Sequence, residues 1–600
     1  MRTILGIHDG HDCSAALMID GEIVAAAQEE RFTIQKGDSG YPKHSIDYCL
    51  KVNDIAGKTI DEVVIVTHSM NLHVAKIKRK FNYNVDDWVY EQHNYWKPVL
   101  FENRNVSLYD LFKNREDFVY DNSYPLDHFL DKEIDDQILK KATEIRKNCI
   151  AERLNVPVEK IRILTHEDCH NYYSYYSCPD RDKKIALTSE GIGDYSNGTV
   201  SIMSEDGRNE LASTRDNHLV HIYRYITLLL GMKPDHHEYK VMGLAPYANQ
   251  KELEKSYEVF KNILKVDGLN IVYDQKPGDL YFHFKKQLEG HRFDGIAGAV
   301  QKFVEENLCN WSETCLNKTK LSKICFAGGM AQNIKACKKI VELKGVESLY
   351  VSPAAGDSSL PIGACYFAMW EYLHSTKQKT DVIQPLSNIY LGPEFSNEDV
   401  EKALANNQIN SKYKVIKGFQ AKEIAERLSK GQIIARCSGR MEFGLRALGN
   451  RSIMADPRIP DTVRKINVAI KFRDFWMPFT PSILSERVHD YIINPKNIKC
   501  PYMTMAFDST DLAKKDLIAA LHPADFTIRP QILTQESNPG YYEIIKSFET
   551  ITGVGGVLNT SFNLHGYPIV LGPEEAIFTF NNSELDGLIL EDYLILRDGE

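Results

Sequence analysis

The chain has 600 residues, 43% hydrophobic and 26% charged, with 72 Lys and Arg against 82 Asp and Glu for a net charge of -10. This is enough for several globular cores, three to five on a prior of roughly 100–200 residues per domain. It excludes a bilayer span, since no apolar run approaches the ~20 residues required. Net acidity also argues against a broad nucleic-acid surface. The twelve cysteines form no Cys-x-x-Cys pair, which speaks against a disulfide framework or a zinc knuckle.

In chain order, ILGI, SAALMI and EIVAAAQ read as three strands separated by the polar turn HDGHD and by Asp20-Gly21, a two-residue hairpin signal. With no apolar leader before the first strand, the chain is expected to be cytoplasmic. Residues 81–156 read as an insertion rich in Trp, Tyr and Asp, ending where Ile134, Ile138, Ala142, Ile145 and Ile150 recur near helical spacing. That helix is compatible with a monomer or a homodimer. IALT, the acidic turn SEGIGD, TVSIM, SEDG and NELAST then repeat the opening pattern, which points to a duplicated α/β domain.

Two strand-turn-helix junctions follow: KICFAGG, carrying Gly328 and Gly329, into MAQNIKACKKIVEL, and SLYVSP into AAGDSSLPIGACYFAMWEYL. Glycine at a helix entry lets an anion approach free backbone N–H groups. After a polar linker near 374–387, seven arginines lie between Arg436 and Arg473, against the acidic balance of the whole. Guanidinium groups hold phosphate and carboxylate oxygens in bidentate geometry, so the stretch predicts a site for a phosphorylated ligand.

His166 and His170 stand at i and i+4 in HEDCH, stacked on one helix face as a metal chelate requires. The same residues satisfy His-Glu-x-x-His, in which a zinc protease uses the glutamate as general base. Acidic partners for an ion are Glu190, Asp194 and Asp357, on strand-end turns.

Taken together, HDGHDCSAAL, AAQEERFT, HEDCH, EYKVMGLAPY, FAGGMAQN, PAAGDSS, GRMEFGLRALGNRSIMADPR, RPQ and NTSFN resemble the NodU/CmcH-type carbamoyltransferases, in the family's order over nearly the whole chain. The resemblance implies a duplicated actin-like ATPase (ASKHA) domain over 1–380, carrying the 81–156 insertion, and a YrdC-like α/β domain over 388–600. It implies two steps. The YrdC-like domain forms carbamoyl adenylate from carbamoyl phosphate and Mg-bound ATP, and the first domain transfers the carbamoyl group to a hydroxyl of a small molecule or sugar.

Residue by residue, Arg440, Lys471, Arg473 and Arg529 match the cations for carbamoyl phosphate and ATP, and Asn559, Ser561 and Asn563 add neutral donors. On a strand, Lys471 and Arg473 would share a face and clasp one anion. His166, His170 and Asp357, with Glu190 beside them, match the family's metal ligands. Iron is the metal the family implies, while mixed nitrogen and oxygen donors also suit zinc or manganese. His11 and Asp12 match the acceptor loop, and Arg79, Glu238, Lys240 and Asn333 match the nucleotide and acceptor cleft.

The chain departs from the family's pattern at Ile34-Gln35-Lys36, where a different basic motif is usual, at Glu190-Gly191-Ile192-Gly193-Asp194, and at Leu445, usually proline. Two alternatives stay open: a zinc protease through HEDCH, and a non-catalytic nucleotide-binding protein.

Overall fold

The structure, a computed structural model, describes residues 2–68, 70–132, 135–471 and 474–597. They form two compact units, Met1–Ser387 and Asn388–Glu600.

The first unit holds two five-stranded sheets with one topology. In the first, β1 (Thr3–His8), β2 (Ser14–Ile19), β3 (Glu22–Gln28), β4 (Glu62–Val66) and β5 (Ile161–Leu164) lie in the order β3-β2-β1-β4-β5. β1, β2 and β3 pair antiparallel, while β4 and β5 add parallel. In the second, β6 (Lys184–Ser189), β7 (Gly198–Ser204) and β8 (Gly207–Thr214) form the antiparallel meander. A small hairpin of β9 (Leu264–Asp267) and β10 (Asn270–Tyr273) intervenes before β11 (Lys323–Ala327) and β12 (Ser348–Val351), which pair parallel to complete the order β8-β7-β6-β11-β12. Each meander even carries a bulge at the matching place, at Leu17/Met18 and at Val200/Ser201. The repeated strand pattern predicted this duplication, and the resemblance implied its actin-like form.

The central strands are apolar without alternation, as in EVVIV of β4, because helices cover both faces. Asp20 and Gly21 both take positive φ, +49° and +89°, as a type I′ turn requires. The insertion is helical, with Tyr83, Trp88, Phe112 and Phe118 packed into an aromatic cluster against Leu228 and Tyr281. Its last helix, Asp136–Leu154, turns Ala142, Arg146, Ile150 and Leu154 inward at four-residue spacing; Ile134 lies outside the described residues.

Two helices bring the halves together. Helix His166–Tyr176 follows β5, and helix Leu360–Ser375 follows the turn after β12. They pack through Tyr172 against Phe367 and Trp370, with ring centroids 4.5 and 5.2 Å apart. They touch backbone to backbone at Gly363, where a Cβ would collide with the Cys169 carbonyl.

The second unit is built on an eight-stranded mixed sheet. Its strands are β13 (Lys414–Lys417), β14 (Ile434–Cys437), β15 (Arg451–Ala455), β16 (Thr480–Leu484), β19 (Gln531–Leu533), β20 (Gly556–Ser561), β21 (Gly587–Leu590) and β22 (Tyr593–Leu596). They run in the order β13-β22-β21-β14-β15-β20-β16-β19, beside a short pair β17 (Ile492–Ile493) and β18 (Asp508–Ser509). Ile453, Leu558, Phe580 and Leu588 lie in its core, and the mixed α/β architecture is the one expected of a YrdC-like domain. All twelve cysteines are unpaired and ten are buried, as reduced packing residues should be. Among the described residues no helix is long and apolar enough to cross a membrane.

Candidate active sites

In the first unit, β1 ends at His8 and opens into the HDGHD turn. Asp9 is held from below by the insertion. Arg146 donates to it through Nε (3.1 Å) and Nη2 (2.7 Å), and the Tyr124 hydroxyl donates at 2.8 Å, all within the interior. The backbone then passes through Asp12 at φ +57°, whose carboxylate pairs with Lys80. His11 remains half exposed, its Nε2 3.2 Å from Asp357 Oδ2.

Thr165 caps the helix that carries the other histidines by accepting from the Asp168 amide, while Asp194 accepts from the His166 amide at 2.9 Å. On that helix the two Nε2 atoms face one another at 3.1 Å. Asp357 Oδ1 stands 3.6 Å from both, and Glu190 Oε1 is 2.8 Å from His170 Nε2. Donor atoms of His166, His170, Glu190 and Asp357 all fall within 4.8 Å of one another.

Glu190 Oε2 accepts the Gly329 amide at 2.9 Å, and a Cβ on Gly328, at φ +97°, would collide with the same carboxylate. The glycine turn thus seats a carboxylate that faces the histidines. Thr67, at the strained φ of +81°, places its hydroxyl 3.4 Å from His166 Nδ1 and so orients that ring.

Two imidazole nitrogens aimed at each other and at two carboxylates cannot all be served by protons. Glu190 Oε1, for all its closeness to His170, lies outside hydrogen-bond geometry and is a buried atom with no other partner. Two nitrogens and two carboxylate oxygens converging in a buried space fit a divalent transition metal. Without an ion, burial pushes the His170 imidazole down, but the Glu190 and Asp357 carboxylates outweigh it and hold it up at about 10. Burial would raise Asp357 in turn, yet the imidazoles of His11, His166 and His170 hold it well below the usual carboxylate range.

The protease alternative does not survive this geometry. Glu167 Oε1 accepts the Tyr195 and Ser196 amides at 2.7 Å each, so the carboxylate that would serve as general base instead fixes the SEGIGD turn.

The remaining first-unit expectations separate. Asn333 makes a reciprocal pair with Gln301, 3.0 Å each way, and caps helix Ile334–Glu342. Glu238 accepts the Asp235 amide at 2.7 Å, and Lys240 is buried. Arg79 pairs with the buried Glu91 at 2.6 Å and lies over the Trp88 ring of the insertion, and its charge also acts on Asp235, whose amide Glu238 accepts.

In the second unit, Lys471 is almost fully buried and donates to the Ser561 carbonyl, to the Ser561 hydroxyl at 3.2 Å, and to Asn563 O and Oδ1 at 3.0 and 2.6 Å. It ends a wide helical turn, Asn467–Lys471, so the expectation that it sits on a strand is corrected. Arg473 lies outside the described residues. Asn559, two residues before Ser561 on β20, donates to Ala447 O, Ser482 Oγ and Gln531 Oε1.

The arginine stretch is not one anion cradle. Arg436 and Arg451 are buried and donate to backbone carbonyls, Arg436 to Gly449 and Arg451 to Leu571, Gly439 and Pro393. Arg458 pairs with Asp456 and Arg464 with Asp461. Arg440 donates to the Leu391 carbonyl at 2.8 Å, and the Arg529 carbonyl accepts from the Thr480 hydroxyl. Alternation of arginine with apolar residues, read as ligand binding, also marks arginines that satisfy buried carbonyls.

Sequence reasoning passed over His8, Asp9, Thr67, Lys80, Tyr124 and Arg146. Only His8 and Asp9 carried a signal, by adjoining His11 and Asp12.

Against known proteins, residues 3–366 match the model of the carbamoyltransferase N-terminus and residues 425–597 that of the carbamoyltransferase C-terminus. An uncharacterized protein of Synechocystis sp. is 30% identical over 648 residues, covering 100% of this chain and 97% of its own. One from Methanocaldococcus jannaschii is 31% identical over 573 residues, covering 90% and 91%. The nodulation protein NolNO of Sinorhizobium fredii is 28% identical over 602 residues, covering 98% of this chain and 79% of that protein. Among solved structures, full-length HypF aligns with a TM-score of 0.33 at 10% identity over 63% of this chain and 56% of that one, too low to add to the strand order itself. With both family models matched in order and relatives spanning its length, the chain belongs to the carbamoyltransferase family, a transferase acting between a carbamoyl donor and an acceptor.

Proposed function

We propose that the chain is an ATP-dependent O-carbamoyltransferase with two sites. In the second unit water cleaves carbamoyl phosphate to carbamate and phosphate, and a carbamate oxygen then attacks the α-phosphorus of ATP, giving carbamoyl adenylate and releasing pyrophosphate. In the first, a hydroxyl of a small molecule or sugar attacks the carbamoyl carbon and AMP leaves. The observation that carries this reading is the convergence of His166, His170, Glu190 and Asp357 beside the half-exposed His11 in a carbamoyltransferase N-terminal domain.

A bound metal would act there as a Lewis acid, and iron is the family's choice. The chain's own groups do the rest. His11 and Asp12 border the cluster from the acceptor loop and orient the hydroxyl. Asp9, clamped by Arg146 and Tyr124, fixes that loop, and the Glu190–Gly329 contact holds the Glu190 carboxylate in place beside the histidines. In the second unit the Lys471 ammonium, already gathered with Ser561 and Asn563, supplies a fixed cation where phosphate oxygens arrive, with Arg440, Arg473 and Arg529 as further cations.

The test is AMP release with ATP, carbamoyl phosphate and a panel of alcohols. Wild type is expected to form carbamoyl adenylate with or without acceptor. Lys471→Ala should abolish it, whereas His166→Ala should keep adenylate formation and lose transfer. Tight ATP binding with no adenylate under any condition would instead favour a nucleotide-binding protein.

A further inference from the structure

The Asp357 carboxylate faces two sets of donors. Its Oδ1 points to His166 and His170, but Oδ2 points the other way, to His11 Nε2 at 3.2 Å. His8 completes that second set, its donor nitrogen, His11 nitrogen and an Asp357 oxygen falling within 4.8 Å of one another.

His8 is 2% exposed. Its Nε2 lies 3.0 Å from the His11 carbonyl, an atom that can only accept, so Nε2 must carry a proton. That leaves Nδ1 buried with no partner. Neutral, it is a lone pair without a donor; protonated, a donor without an acceptor. An imidazole whose one N–H is anchored on a backbone carbonyl while the other nitrogen is unsatisfied has the outer-shell arrangement of a metal-bound histidine. The separation of His11 and Asp357 also suits two ligands of one ion, since donors at ~2.1 Å from a metal stand roughly 3–4 Å apart.

We propose that this protein holds a second divalent transition-metal ion, bound by His8, His11 and Asp357, with Asp357 bridging it to the ion of the His166–His170–Glu190 set. The proposal rests on the reading that the latter set binds an ion. Three protein donors leave coordination positions open, and half-exposed His11 puts them on the solvent side, where an oxygen of the acceptor or of the carbamoyl group can enter. Carboxylate-bridged ions of this kind lie about 3.5–4 Å apart.

The full chain is stripped with a chelator, reloaded with Mn(II), desalted, and assayed for manganese per chain and by electron paramagnetic resonance. Two equivalents and the many-line spectrum of a coupled pair are expected in wild type, with one equivalent and a simple six-line spectrum in His8→Gln. If the circular dichroism of that variant shows misfolding, His11→Gln replaces it, removing a ligand from the exposed side with the same expected loss. A wild type that binds one equivalent, lost in His166→Ala and unaffected by His8→Gln, overturns the second site and leaves the first. A wild type that binds none overturns both.

Discussion

The pair between Arg146 and Asp9 has both side chains 1% exposed and joins the insertion to the turn that carries His8 and His11. Removing one partner of a buried pair leaves an uncompensated charge and costs about 3–5 kcal/mol. Arg146→Ala should lose stability of that order in urea unfolding, with a disproportionate fall in transfer activity because the acceptor loop loses its anchor. A second residue gives a pH signature. Burial, with Lys36 and Lys80 adding repulsion, lowers the Lys233 ammonium to about 8 from its ordinary 10.5. Between those values the unfolded chain binds the proton that the folded chain has released, so this group makes stability rise as pH climbs from 8 towards 10.5 and imposes its full cost below 8. Lys233→Met should flatten the rise in urea midpoint between pH 8 and 9.5 and stabilise the protein near pH 7. At this scale the sequence was legible where motif residues converge in space, as with His166, His170 and Asp357. It was silent on Arg146, Tyr124 and Thr67, because long-range support depends on which distant segments fold beneath a turn, and neither spacing nor composition records that.

Among elements, the contact between helices His166–Tyr176 and Leu360–Ser375 sets where His166, His170 and Asp357 stand. Both chains of atoms meet at Gly363, so Gly363→Ala would force its Cβ against the Cys169 carbonyl and push the helix bearing His170 away from Asp357. Overpacking of this kind typically costs about 1–3 kcal/mol. The expected result is a lower melting temperature together with weaker manganese binding, whereas Gly278→Ala, whose Cβ would meet nothing within 4 Å, should change neither. Strands were read well from sequence because their apolar runs and turn residues are local, as at Asp20-Gly21. The Lys471 segment was misread as a strand for the converse reason. Alternating apolar and basic residues in a short stretch fit either period, and the wide turn Asn467–Lys471 is settled by packing.

At the scale of the whole molecule, the proposed function assigns one chemical step to each of two units that are compact by themselves. Chelator treatment is therefore expected to stop carbamoyl transfer while leaving carbamoyl adenylate formation from ATP and carbamoyl phosphate intact, with readdition of metal restoring transfer. Loss of both reactions together on chelation, with magnesium held in excess, would contradict that division. The duplicated topology was visible beforehand in the repeated acidic hairpins. The partition of the arginines was not: Arg436 and Arg451 lie in strands but donate to carbonyls of surrounding loops, at Gly449 and Leu571, a demand visible only once those loops are in place.

The matched strand orders of the two halves also have a historical reading. The two histidines follow the fifth strand of one sheet and Asp357 follows the fifth strand of the other, so three of the four clustered residues come from one and the same junction used twice, and Glu190 follows β6. A single ancestral half would have presented this junction to its own copy across a twofold axis, with identical residues on both sides. Fusion into one chain removed that identity. One junction was then free to carry histidines while its twin carried an aspartate, giving a cluster with distinct faces that no symmetric pair of subunits could have offered.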